Sequence, residues 1–243
     1  MDIKAILAGL AFAFMWSSAF TSARIIVTNA PPLTVSAIRF LIAGLIVLAI
    51  ARMAGQSFRL TAQQWRLTIV FGICQNALYL GLNFVAMQWV QASLAAIIAA
   101  SLPLWVGLLG WLVWGEKVPP LGMVGLFAGI AGVILIMGTR LSAGVDPLGV
   151  LLCVIGALAL ATATLSVHGA SSGGNLLTVV SFQMLIGSAA LWVPAFLFET
   201  WEVNWSPLVV GALFYTIFVP GILATRRLTY SSERITGFLS LRR

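Results

Sequence analysis

Polar side chains recur inside segments that are otherwise apolar, and they are the residues best suited to bind a solute. Gln75, Tyr79 and Asn83 are spaced four residues apart, so on a helix they form one face, with Asn76 beside it. Such groups donate and accept hydrogen bonds, and a stripe of them facing lipid would be costly. We therefore expect the stripe to face protein or a cavity. The spacing leaves open whether it only bonds to neighbouring helices or also lines a solute site.

Arg39 is a basic residue placed inside an apolar segment. A charge within the hydrocarbon core costs about 2.5 kcal/mol or more, so Arg39 must snorkel to the outer interface, pair with an acid, or face water. Snorkelling and anion binding in a cavity both remain open. The complete set of candidate cavity residues is Ser17, Thr21, Arg39, Gln75, Asn76, Tyr79, Asn83, Gln183 and Tyr215.

The sequence lacks the residue patterns of several kinds of chemistry. There is no phosphate-binding Gly-x4-Gly-Lys-Ser/Thr loop, and the single histidine, His168, excludes a histidine cluster for a metal. Cys74 and Cys153 are widely separated and fit apolar filling positions. A membrane enzyme acting on lipid would need a nucleophile–base pair or a metal cluster, and neither is visible. We expect no catalytic residue, no metal and no cofactor.

The elements that carry these residues must be transmembrane helices. The chain has 243 residues, of which 61% are hydrophobic and 8% charged, whereas a soluble domain has about 25% charged residues. A helix needs about 20 apolar residues to cross a bilayer. The fold is therefore predicted to be an all-α polytopic membrane helix bundle of about eight transmembrane helices. The predicted spans are 4–23, 33–54, 67–87, 91–114, 119–138, 147–168, 176–198 and 207–225.

Basic residues predict the orientation of these spans. With the N-terminus inside, ten of the 13 Lys and Arg residues lie on the inner side, and only Arg24 and Arg140 lie in outer loops. The net charge of +7 is thus explained by topology, and no nucleic-acid partner is expected. The first apolar run is expected to be retained rather than cleaved as a signal peptide, because it is nearly 20 residues long and Asp2 precedes Lys4. We expect a multi-pass protein of the cytoplasmic (inner) membrane with its N-terminus in the cytoplasm.

A shift of 144 residues superimposes part of the chain on itself. Leu33-Thr34-Val35 then coincides with Leu177-Thr178-Val179, and Arg39 with Gln183. Five predicted helices separate the two starts, so the second copy would enter the membrane from the opposite side, as in inverted-repeat transporters. The chain is about 45 residues short of two copies. We predict a first five-helix repeat (1–143), a partial three-helix second repeat (144–225) and a basic polar tail (226–243); truncation near Thr225 and a native eight-helix protein both remain open.

Five short segments occur in a specific order and spacing along the chain. They are Met15-Trp16-Ser17-Ser18-Ala19-Phe20, Ala37-Ile38-Arg39-Phe40, Asn83-Phe84-Val85-Ala86-Met87, Trp114-Gly115-Glu116-Lys117-Val118 and Gly132-Val133-Ile134-Leu135-Ile136. Through these segments the chain resembles the EamA family of the drug/metabolite transporter superfamily. That resemblance implies ten helices in two five-helix repeats, and movement of small metabolites, often export of amino acids or similar compounds. It also implies a bilayer and a small-molecule substrate as partners.

Two functions from different classes follow from these patterns. The first is a secondary transporter, or permease, that works by alternating access between two inverted halves. The second is a membrane scaffold or a truncated, non-transporting remnant of such a transporter. A homodimer is compatible with either function.

Overall fold

The computed structural model describes residues 3–142, 144–167, 173–200 and 202–218, all of them in helices or the short connections between helices. The predicted basic tail, the end of the eighth predicted span and His168 lie outside these residues. The helices are α1 (Ile3–Val27), α2 (Pro32–Met53), α3 (Ala62–Phe71), a π-helical segment (Gly72–Leu80), α4 (Gly81–Ala86), α5 (Ala92–Ala100), α6 (Leu102–Leu112), α7 (Pro120–Ser142), α8 (Pro147–Ser166), α9 (Leu176–Phe198) and α10 (Pro207–Thr216).

The all-α membrane bundle predicted from composition is confirmed. Six helical stretches among the described residues are long and apolar enough to cross a membrane. They are Pro32–Met53, Ala62–Ala86, Ala92–Leu112, Pro120–Arg140, Pro147–Ser166 and Leu176–Phe198, and each coincides with one of the eight predicted spans. The first predicted span lies within α1, and the eighth begins as the shorter apolar helix α10.

The third membrane stretch is not a uniform α-helix. Between α3 and α4 the backbone turns of Gly72–Leu80 are π-helical, with hydrogen bonds that reach one residue further than in an α-helix. This wider segment carries Gln75, Asn76 and Tyr79. π-Helical turns are rare and are often found at functional sites. The hydrophobic periodicity of the sequence did not predict this π-helical segment.

Two glycines allow the neighbouring helices to approach the π-helical segment closely. A Cβ on Gly187 of α9 would collide with the Asn76 side chain and lie 3.0 Å from the Gly72 carbonyl oxygen. A Cβ on Gly156 of α8 would lie 2.9 Å from Asn83 Nδ2 and 3.2 Å from the Tyr79 carbonyl oxygen. Close backbone approach at small residues is the usual way in which membrane helices pack. The polar stripe is thus held between α8 and α9.

Helices α2 and α9 pack along each other, and a side chain that follows the C-terminus of each helix caps the N-terminus of the other. Neither helix has a capping side chain of its own at its N-terminus. Instead, the carboxylate of Glu199, which follows α9, accepts 2.7 Å hydrogen bonds from the backbone N–H groups of Leu33 and Thr34 and from Thr34 Oγ1. At the other end, Gln56 Oε1, which follows α2, accepts a 3.1 Å hydrogen bond from the Thr178 N–H. The two helices are therefore antiparallel, and each satisfies the free N–H groups of the other.

Replacing Glu199 with Ala is expected to lower the stability of the α2–α9 pair. The substitution leaves two backbone N–H groups without their carboxylate and removes a negative charge from the positive end of the α2 dipole. We expect a loss of about 1–2 kcal/mol, measured as earlier thermal unfolding of the purified protein in detergent. The matched control is Glu202→Ala, since Glu202 is exposed. Equal unfolding temperatures of the two variants would contradict the capping role.

The fourth and fifth membrane stretches are less tightly packed. A kink in the fourth is expected at Pro103, and the structure interrupts that stretch at Ser101, where α5 ends and α6 begins with Pro103 in its first turn. Helix α7 leaves large hydrophobic side chains exposed, among them Leu121, Val124 and Leu135. Within α7, a Cβ on Gly129 would collide with Leu104 of α6, whereas one on Gly125 would meet no atom within 4 Å.

Candidate functional site

A cavity of about 380 Å³ lies among α1, α2, the π-helical segment and α4, with further walls from α6, α8, α9 and α10. Small-molecule sites have volumes of about 300–1,000 Å³, so the cavity has room for a small metabolite. Most of its walls are apolar. The lining residues are Met15, Trp16, Ala19, Phe20, Ala23, Arg39, Phe40, Ala43, Gln75, Asn76, Tyr79, Leu80, Asn83, Phe84, Met87, Leu102, Leu160, Thr164, Met184 and Thr216.

Arg39 lines this cavity instead of reaching the outer surface. Its side chain is only 6% exposed. The guanidinium carbon lies 4.4 Å from the centre of the Phe40 ring and 4.7 Å from the centre of the Phe84 ring. Cation–π contacts of this kind offset part of the cost of removing the charge from water. Among the described lining residues there is no Asp or Glu to neutralise it, and Nε is buried with no hydrogen-bond partner.

The polar stripe of the third membrane stretch lies on the same cavity. Asn76 donates a 2.9 Å hydrogen bond from Nδ2 to the carbonyl oxygen of Gln183 on α9. Asn83 donates a 2.7 Å bond from Nδ2 to the carbonyl oxygen of Tyr79 one turn earlier. Tyr79 Oη is buried and has no partner, and Gln75 completes the polar wall. Asn76 thus both bonds to a neighbouring helix and lines the cavity, while contact of the stripe with a solute stays a prediction.

The remaining sequence candidates lie elsewhere. Ser17 and Thr21 are exposed and are outside the cavity lining. Gln183 contributes its backbone carbonyl to Asn76 and does not line the cavity. Tyr215 Oη lies 2.5 Å from Ser18 Oγ, which ties α10 to α1 beside the cavity.

Several lining residues were missed by the sequence reasoning. Met15 and Trp16 belong to the segment 15–20 of the first helix. Nothing in the sequence of that segment indicates which side of the helix faces the cavity. Thr164 and Thr216 are hydroxyl residues in apolar helices, and each donates to a carbonyl of its own helix, at 2.9 Å. Helices that are apolar on all sides carry no periodic signal to distinguish a lipid-facing position from a cavity-facing one.

The chemistry available at this site is binding and orientation. The cavity wall is formed mostly by aromatic and aliphatic side chains. Its polar groups include the guanidinium of Arg39, the phenol of Tyr79 and the amides of Gln75, Asn76 and Asn83. No group of three or more His, Cys, Asp or Glu residues among the described residues is arranged to hold a metal ion. The arrangement suits reversible binding of a small solute inside a membrane bundle.

Comparisons with known proteins place the chain among membrane transporters. The model of the EamA-like transporter family matches residues 3–138. The chain is 28% identical to "Uncharacterized transporter YvbV" of Bacillus subtilis (strain 168) over 207 residues, which are 84% of this chain and 68% of that protein. It is 32% identical to "Uncharacterized inner membrane transporter YedA" of Escherichia coli (strain K12) over 146 residues, which are 59% of this chain and 46% of that protein.

A solved crystal structure shares the fold. It superimposes with a TM-score of 0.62 at 22% sequence identity, and the match covers 93% of this chain and 77% of that chain. At this identity the likeness concerns the arrangement of the helices alone.

Proposed function

Because the chain belongs to the EamA-like transporter family, we propose that its cavity is the binding site through which it carries a small metabolite across the membrane. The chain is a multi-pass membrane protein whose relatives include transporters. The proposed mechanism is secondary transport by alternating access, with the solute bound in this cavity.

The observation that carries the proposal is the cavity itself. Arg39 and Asn83 are 6% and 2% exposed, yet both line an open space inside an apolar bundle. Buried polar groups that face a cavity are expensive in a membrane protein and are characteristic of substrate pathways. A purely structural bundle would gain from filling this space with apolar side chains.

The exchanged caps of α2 and α9 support an inverted arrangement of two halves. In the 144-residue repeat, Thr34 corresponds to Thr178, and each of these threonines donates its backbone N–H to a side chain beyond the end of the opposite helix. Such reciprocity is expected if the halves are related by a two-fold axis in the membrane plane. We propose 1–143 as the first half and 144–225 as part of the second, with the N-terminus in the cytoplasm and the protein in the cytoplasmic membrane.

Counterflow in proteoliposomes tests the proposed function. The purified chain is reconstituted, the vesicles are loaded with one unlabelled metabolite at a time, and uptake of the labelled form is followed. We expect uptake above that of protein-free vesicles for at least one member of a panel of organic acids, amino acids and amines. Uptake equal to protein-free vesicles across the whole panel would favour a scaffold or a non-transporting chain.

Replacing Thr164 with Trp is expected to block transport while leaving the fold intact. The Thr164 side chain is exposed to the cavity, so an indole there occupies the space for the solute without displacing a neighbouring helix. We expect counterflow to fall about tenfold or more, since a solute that loses its site loses several contacts of about 1 kcal/mol each.

The matched control for this variant is Thr139→Trp on the exposed face of α7. Thr139 and Thr164 each donate to a carbonyl oxygen of their own helix, at 2.9 Å in both cases, so both substitutions remove the same local bond. Wild-type transport by Thr164→Trp, in protein that elutes as a single species on gel filtration, would show that the solute does not pass through this cavity.

A further inference from the structure

We propose that the solute is an organic monocarboxylate with an apolar body and no ammonium group. This inference rests on the proposed function, because it names the substrate class of the same cavity. It follows from the positive charge in the cavity, from the hydrogen-bond donors on its wall, and from the lack of a carboxylate among its described lining residues.

Arg39 brings an uncompensated positive charge into the cavity. A buried guanidinium normally pairs with a carboxylate, because an uncompensated charge in an apolar interior costs several kcal/mol. The described lining contains no acidic side chain, so a bound anion is the remaining way to neutralise the charge. One positive charge matches one negative charge, which favours a monoanion.

Two aromatic rings pack against the guanidinium of Arg39. The ring centres of Phe40 and Phe84 lie 4.4 and 4.7 Å from its central carbon. Ring contacts leave the N–H groups of the guanidinium available for hydrogen bonds. A planar carboxylate accepts two parallel bonds from these N–H groups, which is the preferred pairing of arginine with an anion.

The polar side chains of the third membrane stretch offer further hydrogen-bond donors. Asn83 and Gln75 place amide groups on the cavity wall. Arg39 and Tyr79 line the same wall, with Arg39 Nε and Tyr79 Oη themselves buried and without a partner. A carboxylate has about four acceptor positions, enough to bond with the terminal N–H groups of the guanidinium and with these amides.

The remaining wall of the cavity is mostly apolar and would meet the rest of the ligand. The wall beyond the polar stripe is formed by apolar side chains that include Met15, Trp16, Phe20, Leu102 and Leu160. This surface suits an aromatic or aliphatic body. An ammonium group would be stripped of water here without a carboxylate among the described lining residues to receive it. The cavity should therefore discriminate against zwitterionic amino acids of the same shape.

A series of ligands with one carbon skeleton tests this inference by direct binding. The probes are 3-phenylpropanoate, its neutral amide 3-phenylpropanamide, the zwitterion phenylalanine and the cation 3-phenylpropylamine. Each is titrated into the full chain in detergent micelles at pH 7 by isothermal titration calorimetry. We expect the carboxylate to bind about 10- to 100-fold more tightly than the other three, which is the worth of a charge-assisted pair.

Variants of two arginines assign the preference to its residue. Arg39→Gln should remove the preference for the carboxylate over the amide, and Arg39→Lys should retain only part of it, because lysine keeps the charge but lacks the planar fork. The control is Arg52→Gln, at the exposed end of the same helix, which should bind as the unchanged protein does.

The outcomes separate this inference from the proposed function. Tightest binding of phenylalanine, of the amine or of the amide by the unchanged protein would overturn the inference, as would a carboxylate preference that survives Arg39→Gln. Transport of a neutral or cationic solute would leave the proposed function in place while refuting the substrate class. Selective carboxylate binding without counterflow would support the substrate class and refute transport by this chain.

Discussion

Replacing Gly187 with Val will separate α9 from the π-helical segment and prevent the polar wall of the cavity from forming. A Cβ at this position collides with the side chain of Asn76 and comes within 3.0 Å of the Gly72 carbonyl oxygen. The Gly72 oxygen belongs to the backbone, and the buried Asn76 is held by its bond to the Gln183 carbonyl, so neither neighbour can yield cheaply. The two extra methyl groups of valine add to the overlap.

The expected cost is about 3 kcal/mol, at the upper end of the range for overpacking in a well-packed interior. It should appear as a large fall in the unfolding temperature in detergent and in the yield of monodisperse protein. Gly125→Val is the matched control, because a Cβ there meets no atom within 4 Å while the change in helix propensity is the same. Similar losses in both variants would mean that valine in a helix, and not the close contact, causes the effect.

Replacing Arg39 with Met is expected to stabilise the protein and abolish transport. A charged side chain in the centre of a membrane helix costs about 2.5–3.5 kcal/mol. The two ring contacts together return about 1–4 kcal/mol, but the buried Nε has no acceptor, which adds a further cost of about 1–3 kcal/mol. Methionine is flexible and apolar, fits beside Phe40 and Phe84, and removes the charge that has no acidic partner among the described residues.

We expect Arg39→Met to unfold at a higher temperature, with a gain of about 1 kcal/mol or more, and to show no counterflow above protein-free vesicles. Arg52→Met is the control on the same helix; Arg52 is exposed and lies 5.7 Å from the Phe58 ring, so its removal should give no gain. A strong loss of stability in Arg39→Met would show that the guanidinium is a structural element of the bundle. Gain of stability with loss of transport is the pattern expected of a functional residue that is maintained at the expense of the fold.

The class of protein and the positions of its helices were predictable from the sequence. Hydropathy acts on each segment separately, since a stretch of about 20 apolar residues must form a helix in a bilayer to satisfy its own backbone groups. For the same reason the spans around Pro32–Met53, Pro147–Ser166 and Leu176–Phe198 were correctly located. The polar stripe of Gln75, Tyr79 and Asn83 was also recognisable, because amides and phenols are unusual against an apolar background.

The tertiary structure alone decided which polar residues share a site. Arg39 faces the cavity and Ser17 faces away from it, although both lie in helices that are apolar on all sides. The approach of Gly187 to Asn76 and the cap that Glu199 supplies to α2 join residues far apart in the chain. Packing between distant segments determines which side of a uniformly apolar helix contacts its neighbours. The hydropathy of a single segment therefore cannot predict that side.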